Sequence, residues 1–476
     1  MKTECGVLCK ISKQNISSKD FIESLEKIQH RGQDACGIAF YKNKKIECIK
    51  SKGKVKPVFE NYSTMYSKCF IGHTRYTTSG NTTKTSEGIQ PIKVSDTCYF
   101  VFNGNILSED EIRTILEDKK TTSLDTYKIS GFLKHNNFEA LDYKNAVKIL
   151  MDFFQMWKRA YNIIIICNDY VYILRDMYGT RPISYIKESN QITISSETVS
   201  FKRGLKDVNY INIKPGELVT IHIKSLTIKN YQSKDLQFKA HCLFEYLYFM
   251  NKKSFDVDKG GNFPVENYRN ELGKQLALQE IEYETKYNID TTTMFDKNIE
   301  KIVIGIPETG YESGFGYATG RRYPFTNKGI VKTANIRSFI GGNDKIRKSI
   351  LEEKFTFNKE HIQNKIVFLV DDSIVRGHTM KFIVKKCFSL GAKEVHVRIT
   401  SPPIKNPCLF GVDLKTKKEM IANKYNGIDG IQSFIGSTSL LYLKLEHIAN
   451  IFPLQHYCTG CINHNYNETK YSHLDW

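Results

Sequence analysis

The chain has 476 residues, 25% charged and 12% aromatic, with 30 Gly, 11 Pro and 12 Cys. That composition excludes a disordered chain, a collagen-like or low-complexity sequence and a disulfide scaffold, and the length allows about two to four domains. The basic excess, 69 − 51 = +18, is scattered rather than gathered into a Lys/Arg block, so a solvated surface is expected and a nucleic-acid partner is not.

No run of about 18 apolar residues is present, so no membrane-spanning helix is expected. Met1-Lys2-Thr3-Glu4 lacks the apolar region of a secretory signal. A cytoplasmic protein with reduced thiols follows, unless some cysteines hold a metal or a cluster. Apolar spacing of three and four predicts helices over residues 21–28 and 110–116. Residues 163–167 and 170–174 are β-rich runs joined by the turn pair Asn168-Asp169. Further strands are predicted at 191–195 and, after Lys214-Pro215-Gly216, at 217–223. Strands this dense suggest sheet packed on sheet. A domain boundary is placed in the polar stretch 229–235. Beyond it, apolar strands at 302–306, 365–370 and 394–399 alternate with helices, the pattern of a parallel α/β sheet.

Four strings stand out in the first half: Cys5-Gly6-Val7-Leu8, His30-Arg31-Gly32-Gln33-Asp34, Gly72-His73-Thr74-Arg75-Tyr76-Thr77-Thr78-Ser79-Gly80 and Phe102-Asn103-Gly104-Asn105. No Ser/His/Asp set is evident. A near-terminal cysteine suggests a nucleophile that is itself the first residue, because an α-amino group titrates near about 8 and can serve as base for its own thiol. The Asn103 side chain and the Gly104 N–H suit an oxyanion. Arg75 suits a substrate carboxylate. Taken alone, Cys5 reads more simply as an inert strand thiol; the four strings together favour the nucleophile.

In the second half, Val370-Asp371-Asp372-Ser373-Ile374-Val375-Arg376-Gly377-His378-Thr379 runs from a strand through two acids and a small-residue loop into a helix. N–H groups at such a helix start cradle phosphate, and adjacent acids suit ribose hydroxyls or Mg²⁺. The plainer alternative is a helix capped by Ser373. The full string resembles the 5-phosphoribosyl-1-pyrophosphate (PRPP) loop of type I phosphoribosyltransferases. Ile306-Pro307-Glu308-Thr309-Gly310, about sixty residues earlier, resembles the pyrophosphate loop of the same fold.

Together with Cys242-Leu243-Phe244-Glu245-Tyr246-Leu247-Tyr248-Phe249, Ser401-Pro402-Pro403-Ile404-Lys405-Asn406-Pro407-Cys408 and Ile435-Gly436-Ser437-Thr438-Ser439-Leu440, these strings resemble the amidophosphoribosyltransferase family over nearly the whole chain. The resemblance implies an α/β and α+β protein. An N-terminal-nucleophile glutaminase domain, an αββα sandwich at 5–232, would be followed by a type I phosphoribosyltransferase domain, a parallel α/β sheet at 233–476. Residues 1–4 would be a propeptide, cut at Glu4–Cys5. By the same resemblance Cys5 attacks glutamine, Arg75 and Asp125 hold its carboxylate and amine, and Asn103 and Gly104 take the oxyanion. Ammonia then displaces pyrophosphate from PRPP, giving 5-phosphoribosylamine, the first committed intermediate of purine synthesis. Glu308, Thr309, Gly310, Lys332, Arg337, Asp371 and Asp372 would contact PRPP, with Ser373, Ile374, Val375, Arg376, Gly377, His378 and Thr379 around its 5′-phosphate. Thr309, Asp371 and Asp372 would serve Mg²⁺. Feedback inhibition by purine nucleotides and a homotetramer are implied as well.

One branch of the family carries a [4Fe–4S] cluster. Cys458-Thr459-Gly460-Cys461 is a CxxC, which alone is redox-active, zinc-binding or accidental. Cys242 and Cys408 match the branch's two other ligand positions, and four thiolates suit iron–sulfur, though also Zn²⁺. Cys9, Cys36, Cys48, Cys69, Cys98, Cys167 and Cys387 read as buried apolar residues.

The chain departs from the family in four places. The loop over PRPP reads Lys332-Thr333-Ala334-Asn335-Ile336-Arg337-Ser338-Phe339-Ile340, one residue short, with Ala334-Asn335 where the family has Arg-Tyr. This puts closure over PRPP in question. His378 replaces a threonine, Glu312 adds a charge near the pyrophosphate loop, and the acid expected after Asp125-Thr126 is absent. Two other readings compete: a glutaminase serving a different acceptor, which the PRPP loop opposes, and a non-catalytic paralogue, which the altered loop favours.

Overall fold

The structure is a computed structural model. It describes residues 5–76, 88–106, 125–157, 159–201, 209–234, 239–257, 263–288, 298–333, 351–412, 414 and 416–464. The expected helix at 110–116 and the expected propeptide lie outside the described residues, as do Arg337 and the loop around it. The chain divides into two compact units. The first is Met1–Glu245 with Phe249–Val265 and Cys408–Leu414; the second is Tyr246–Tyr248 with Glu266–Pro407 and Lys415–Trp476.

The first unit is two sheets face to face. One has seven strands in the order β11-β9-β10-β1-β4-β2-β3, built from β1 (Gly6–Ser17), β2 (Ala35–Lys42), β3 (Lys45–Lys52), β4 (Tyr66–Arg75), β9 (Ser184–Lys187), β10 (Gln191–Ser195) and β11 (Ile211–Asn212). The other has six, β13-β12-β8-β7-β6-β5, from β5 (Ile92–Lys93), β6 (Cys98–Asn105), β7 (Ala160–Cys167), β8 (Tyr170–Arg175), β12 (Glu217–His222) and β13 (Ile228–Gln232). The polar stretch from Ile228 to Gln232 is therefore an edge strand paired with β12.

Side chains alternate across each strand, so each sheet feeds two cores. Val7, Cys9 and Ile11 of β1 meet Val101 of β6 and Ile164 and Ile166 of β7 between the sheets. Leu8 points the other way, onto Phe21 and Leu25 of helix α1 (Ser18–Glu26). Ile163 and Ile165 point outward onto helices α2 (Asp125–His135) and α3 (Tyr143–Met156). The four-isoleucine run of β7 is thus explained: both faces are covered, so no position calls for a polar side chain. The layers are α, β, β, α. Helix α1 starts where Ser17 accepts a bond from the Asp20 N–H at 3.2 Å.

The second unit centres on five parallel strands in the order β15-β14-β18-β19-β20: β14 (Lys301–Gly305), β15 (Phe325–Thr326), β18 (Ile366–Asp371), β19 (Glu394–Ile399) and β20 (Ser439–Tyr442). A separate hairpin is formed by β16 (Ile330–Lys332) and β17 (Phe355–Phe357). The chain leaves β14 for β15 on one side and returns to β18 on the other. That reversal opens a crevice at the strands' carboxyl ends.

Helices α4 (Val265–Lys286) and α5 (Gly310–Arg321) pack unusually close. A methyl group on Gly273 would lie 2.0 Å from the Ser313 carbonyl, and one on Gly316 would lie 1.9 Å from that of Asn270. Across the same seam Arg398 of β19 pairs with Glu280 at 2.5 Å, and Arg321 with Glu284 at 2.6 Å. The helices are pinned by backbone proximity and by ion pairs together. We predict that Gly273→Ala, by forcing them apart, costs about 1–3 kcal/mol. Gly131→Ala, in α2 with nothing near its would-be methyl, leaves stability unchanged or raises it by about 0.5–1 kcal/mol. Denaturant titration of the two variants checks the contrast.

Candidate active site

Cys5 immediately precedes β1, and the next residue, Gly6, pairs with Thr74 of β4. The Cys5 thiol donates towards the Tyr76 carbonyl at 3.7 Å. Burial raises its pKa, while the Tyr76 backbone and the charges of Arg75 and Arg31 oppose that rise. The Cys5 carbonyl accepts a bond from Arg31 Nε at 3.1 Å. Arg31 is fully buried. Its NH1 donates to Glu197 at 2.6 Å and to Glu245 at 3.0 Å, and its NH2 donates to Glu245 at 2.7 Å. Of the two carboxylates that hold Arg31, Glu245 stands in a string noted from the sequence and Glu197 does not. Glu197 escapes notice because nothing local marks it.

Asn103 and Gly104 lie near the end of β6, just before Asn105. The Asn103 side chain is 2% exposed, and its Nδ2 donor has no hydrogen-bond partner among the described residues. A buried amide donor without an acceptor is costly unless something else supplies one. Only glycine fits at 104, since a methyl there would lie 2.3 Å from the Ala160 carbonyl. The strand is held just before this pair: the Phe102 carbonyl accepts from His73 Nε2 at 3.1 Å and from Gln90 Nε2 at 3.0 Å, and the Phe102 N–H donates to Gln90 Oε1 at 2.5 Å. His73 sits on β4 directly opposite Val7 of β1. The strand that follows the thiol and the strand carrying the unfilled donor are thereby linked through one imidazole. Asp125 opens α2 and accepts from the Ile106 N–H at 3.4 Å, close behind Gly104. Arg75 ends β4, largely buried, with the Cys5 thiol near enough to act on its charge. The first unit therefore gathers Cys5 with Arg75, and Asn103 with Gly104 and Asp125. Gln90 had no signal in the sequence.

In the second unit, Gly305 of β14 lies opposite Val370 of β18, so the two loops leave the sheet side by side. Thr309 Oγ1 donates to Asp372 Oδ1 at 2.6 Å. A methyl on Gly310 would lie 2.4 Å from the Val370 carbonyl, which keeps that position small. Burial and the adjacent Asp372 carboxylate push the Asp371 carboxyl well up. Two crowded carboxylates and an aligned hydroxyl are hard oxygen donors that favour a small divalent cation, and Mg²⁺ is commonly held by one or two carboxylates plus substrate phosphates. The residues present fit it.

Ser373 does not cap the following helix α6 (His378–Ser389); its hydroxyl bonds to Asp372 instead. The cap position is Gly377, at φ +78°, where a methyl would lie 2.4 Å from Ile421 Cδ1. Ile374 is buried in the core. The Val375 carbonyl accepts from the Ile421 N–H at 2.7 Å. Arg376 pairs with Glu419, a partner that sequence reading missed. The His378 ring packs edge-on against Phe434, with centroids 5.9 Å apart, and Thr379 follows it in the first turn of α6. Lys332 lies 3.5 Å from Glu308. Glu312 is in the first turn of α5, where the helix dipole favours a carboxylate. Lys354, also missed, is tied by its carbonyl to the Thr333 N–H at 3.0 Å. Burial lowers its pKa and Lys332 adds to that, while Asp371 and Glu308 oppose it.

The four cysteines of the expected cluster divide between the units: Cys242 and Cys408 in the first, Cys458 and Cys461 in the second. Among the described residues no three His, Cys, Asp or Glu side chains group to hold a metal ion. Burial raises the pKa of Cys408. Its Sγ accepts from the Phe410 N–H at 3.4 Å, and the Val412 N–H and the Arg181 charge also work against the effect of burial. Of the cysteines read as apolar filling, all are buried except Cys48, which is half-buried.

Residues 73–203 match the family model described as a glutamine amidotransferase domain. The chain is 31% identical to the amidophosphoribosyltransferase of Pyrococcus horikoshii, over 98% of this chain and 97% of that one. With the enzyme of the same name from Methanocaldococcus jannaschii it shares 30% identity over 97% of each. Among solved structures it resembles the glutamine PRPP amidotransferase of Bacillus subtilis in complex with ADP and GMP, at 26% identity, a TM-score of 0.78 and 97% coverage of both chains.

Burial holds the His73 pKa down at about 3, with the Arg75 charge as the next cause. A histidine depressed on folding is neutral in both states above about 6.5; below that the unfolded chain takes up a proton that the folded one refuses. Stability is therefore full above pH 6.5 and falls as pH drops towards 3, by up to about 1.4 kcal/mol per pH unit from this residue. Thermal melts between pH 7 and 4 should show that slope reduced in His73→Gln.

Proposed function

The chain belongs to the amidophosphoribosyltransferase family, and we propose that it carries out the family's reaction through the residues assembled above. Its reaction is glutamine-dependent transfer of nitrogen to PRPP, giving 5-phosphoribosylamine, glutamate and pyrophosphate, in purine biosynthesis. The observation that supports the glutaminase half most is the buried Asn103 Nδ2, which has no partner among the described residues and stands where an oxyanion would fill it.

Cleavage of Glu4–Cys5 would free the Cys5 amine as base. The thiol gives its proton to that amine, and Sγ attacks the side-chain amide carbon of glutamine. Asn103 Nδ2 and the Gly104 N–H hold the oxyanion while the C–N bond breaks. The departing nitrogen takes the proton and leaves as ammonia. Water then hydrolyses the thioester to glutamate. Arg75 and Asp125 hold the substrate's own carboxylate and amine, so it enters in one orientation.

In the second unit ammonia attacks C1 of the ribose as the C1–O bond to pyrophosphate breaks. Asp371 and Asp372 face the ribose hydroxyls. Gly310 lets the backbone approach the pyrophosphate, flanked by Glu308 and Thr309. Lys332 and Lys354 bring positive charge to the departing anion. The N–H groups leading into α6 receive the 5′-phosphate. Mg²⁺ at Thr309, Asp371 and Asp372 would neutralise charge developing on the leaving group. A [4Fe–4S] cluster on Cys242, Cys408, Cys458 and Cys461 rests on the sequence match; no chemical step is assigned to it. Equal iron and acid-labile sulfide in anaerobically purified protein would support it, and zinc alone would refute it.

Purine nucleotides are proposed as inhibitors, in line with the ADP and GMP of the Bacillus subtilis complex. A cytoplasmic homotetramer rests on the family resemblance. No helix among the described residues is long and apolar enough to cross a membrane.

Glutamate release is the direct test. It should rise strongly when PRPP is added, in protein whose N-terminus is Cys5 by intact mass. Asp371→Asn should lower phosphoribosylamine formation by about 10²-fold or more with either glutamine or ammonia as nitrogen source. No release from mature protein would refute the glutaminase assignment, and release indifferent to PRPP would refute coupling.

A further inference from the structure

The reaction above gives no role to His30-Arg31-Gly32-Gln33-Asp34 or to Leu243–Phe249, the part of the Cys242 string that follows its cysteine. They meet at one ion cluster inside the first unit. Arg31 is fully buried, and its guanidinium is fixed on both sides. Glu245 accepts from NH2 at 2.7 Å and from NH1 at 3.0 Å, and Glu197 accepts from NH1 at 2.6 Å. Glu197 is itself held, its other oxygen accepting from the Asn251 N–H at 2.8 Å and the Ser254 hydroxyl at 2.7 Å. His30 Nε2 closes the group at 2.8 Å from Glu197. The Nε of Arg31, which neither carboxylate engages, donates to the Cys5 carbonyl at 3.1 Å.

A guanidinium is planar, and its N–H groups point in fixed directions. Once Glu245 engages both terminal nitrogens, the direction of Nε–H is set. The Cys5 carbonyl it meets belongs to the same residue as the thiol and the prospective amine. Turning that peptide turns both. We propose that Glu245 is a positioning residue for glutamine hydrolysis, acting through Arg31 on the Cys5 main chain. The inference rests on the glutaminase reading of Cys5.

Glu245 also sits where the first unit ends in sequence, since Tyr246–Tyr248 belong to the second unit and Phe249 to the first again. The Met250 N–H bonds back to the Glu245 carbonyl at 2.8 Å, so this short excursion is closed at its base.

The test compares two nitrogen sources in the full-length protein. Phosphoribosylamine formation is measured with glutamine and with ammonium, each with PRPP, in unaltered protein, Glu245→Gln and Glu245→Asp. Intact mass establishes that Cys5 is N-terminal in all three. Ammonium bypasses Cys5, so its rate in the unaltered protein tests the assigned transferase reaction by itself. The ratio of the two rates tests Glu245. For Glu245→Gln we expect the glutamine-dependent kcat to fall by about 10- to 100-fold, the scale of a small misplacement of a reacting group, with KM for glutamine little changed and the ammonium rate retained. Glu245→Asp, which keeps the charge but shortens the reach, should fall between. An unchanged ratio in both variants would overturn the proposal. So would a parallel loss of both rates with a lowered melting temperature, which would make Glu245 merely structural.

Discussion

A charge can be buried in a protein only if partners replace the water it loses, and a lone one costs several kcal/mol. Arg31 meets that demand in the first unit with Glu197 and Glu245, whose carboxylates it draws from far apart in sequence. The cation cannot move without uncovering one of them. The direction of its Nε–H is consequently fixed, and with it the backbone of Cys5. The second unit repeats the device with different parts: Arg398 and Arg321 are shielded by Glu280 and Glu284, and this ties α4, α5 and β19 into one body beneath the strand ends. In each unit the reactive groups stand on a frame whose rigidity comes from paired charge as well as from apolar packing.

The two sites put this rigidity to opposite electrostatic use. Around Cys5 the neighbouring charges are cationic, which favours a thiolate against the burial that disfavours it. At the ends of β14 and β18 two carboxylates are crowded together, with Thr309 and Ser373 hydroxyls donating to one of them. The first arrangement favours an anion that the protein itself provides. The second would, on the proposed reading, be completed by a cation from outside, with Lys332 and Lys354 to meet the phosphates. One chain therefore holds two sites of opposite local charge.

Much of this was legible in the sequence because local pattern determined it. The isoleucines of β7 report a strand covered on both faces, and the ten-residue string from Val370 to Thr379 reports a strand, a loop and a helix start in order. Both depend only on neighbours along the chain. What escaped depends on neighbours in space. Gln90 clamps Phe102 from across a turn, and Glu197 and Glu419 meet arginines far from them in sequence. Ser373 shows a subtler limit. Its type suited a helix cap, but the competing carboxylate of Asp372 captured its hydroxyl and the cap passed to Gly377. A residue's local options can be read from its type, whereas the choice among them is made by whichever partner folding brings nearest.

The first unit is not continuous in the chain. It takes Phe249–Val265 and then Cys408–Leu414, which arrives after most of the second unit. A ribosome delivers residues in order, so the nascent first unit waits for its last seam, where a methyl on Gly411 would lie 2.7 Å from Asn105 Cβ at the end of β6. Until that piece emerges, the strand that carries Asn103 and Gly104 has an uncovered flank. Completion of the glutamine-splitting half is thereby deferred, in time, until most of the half that consumes its ammonia has been synthesised.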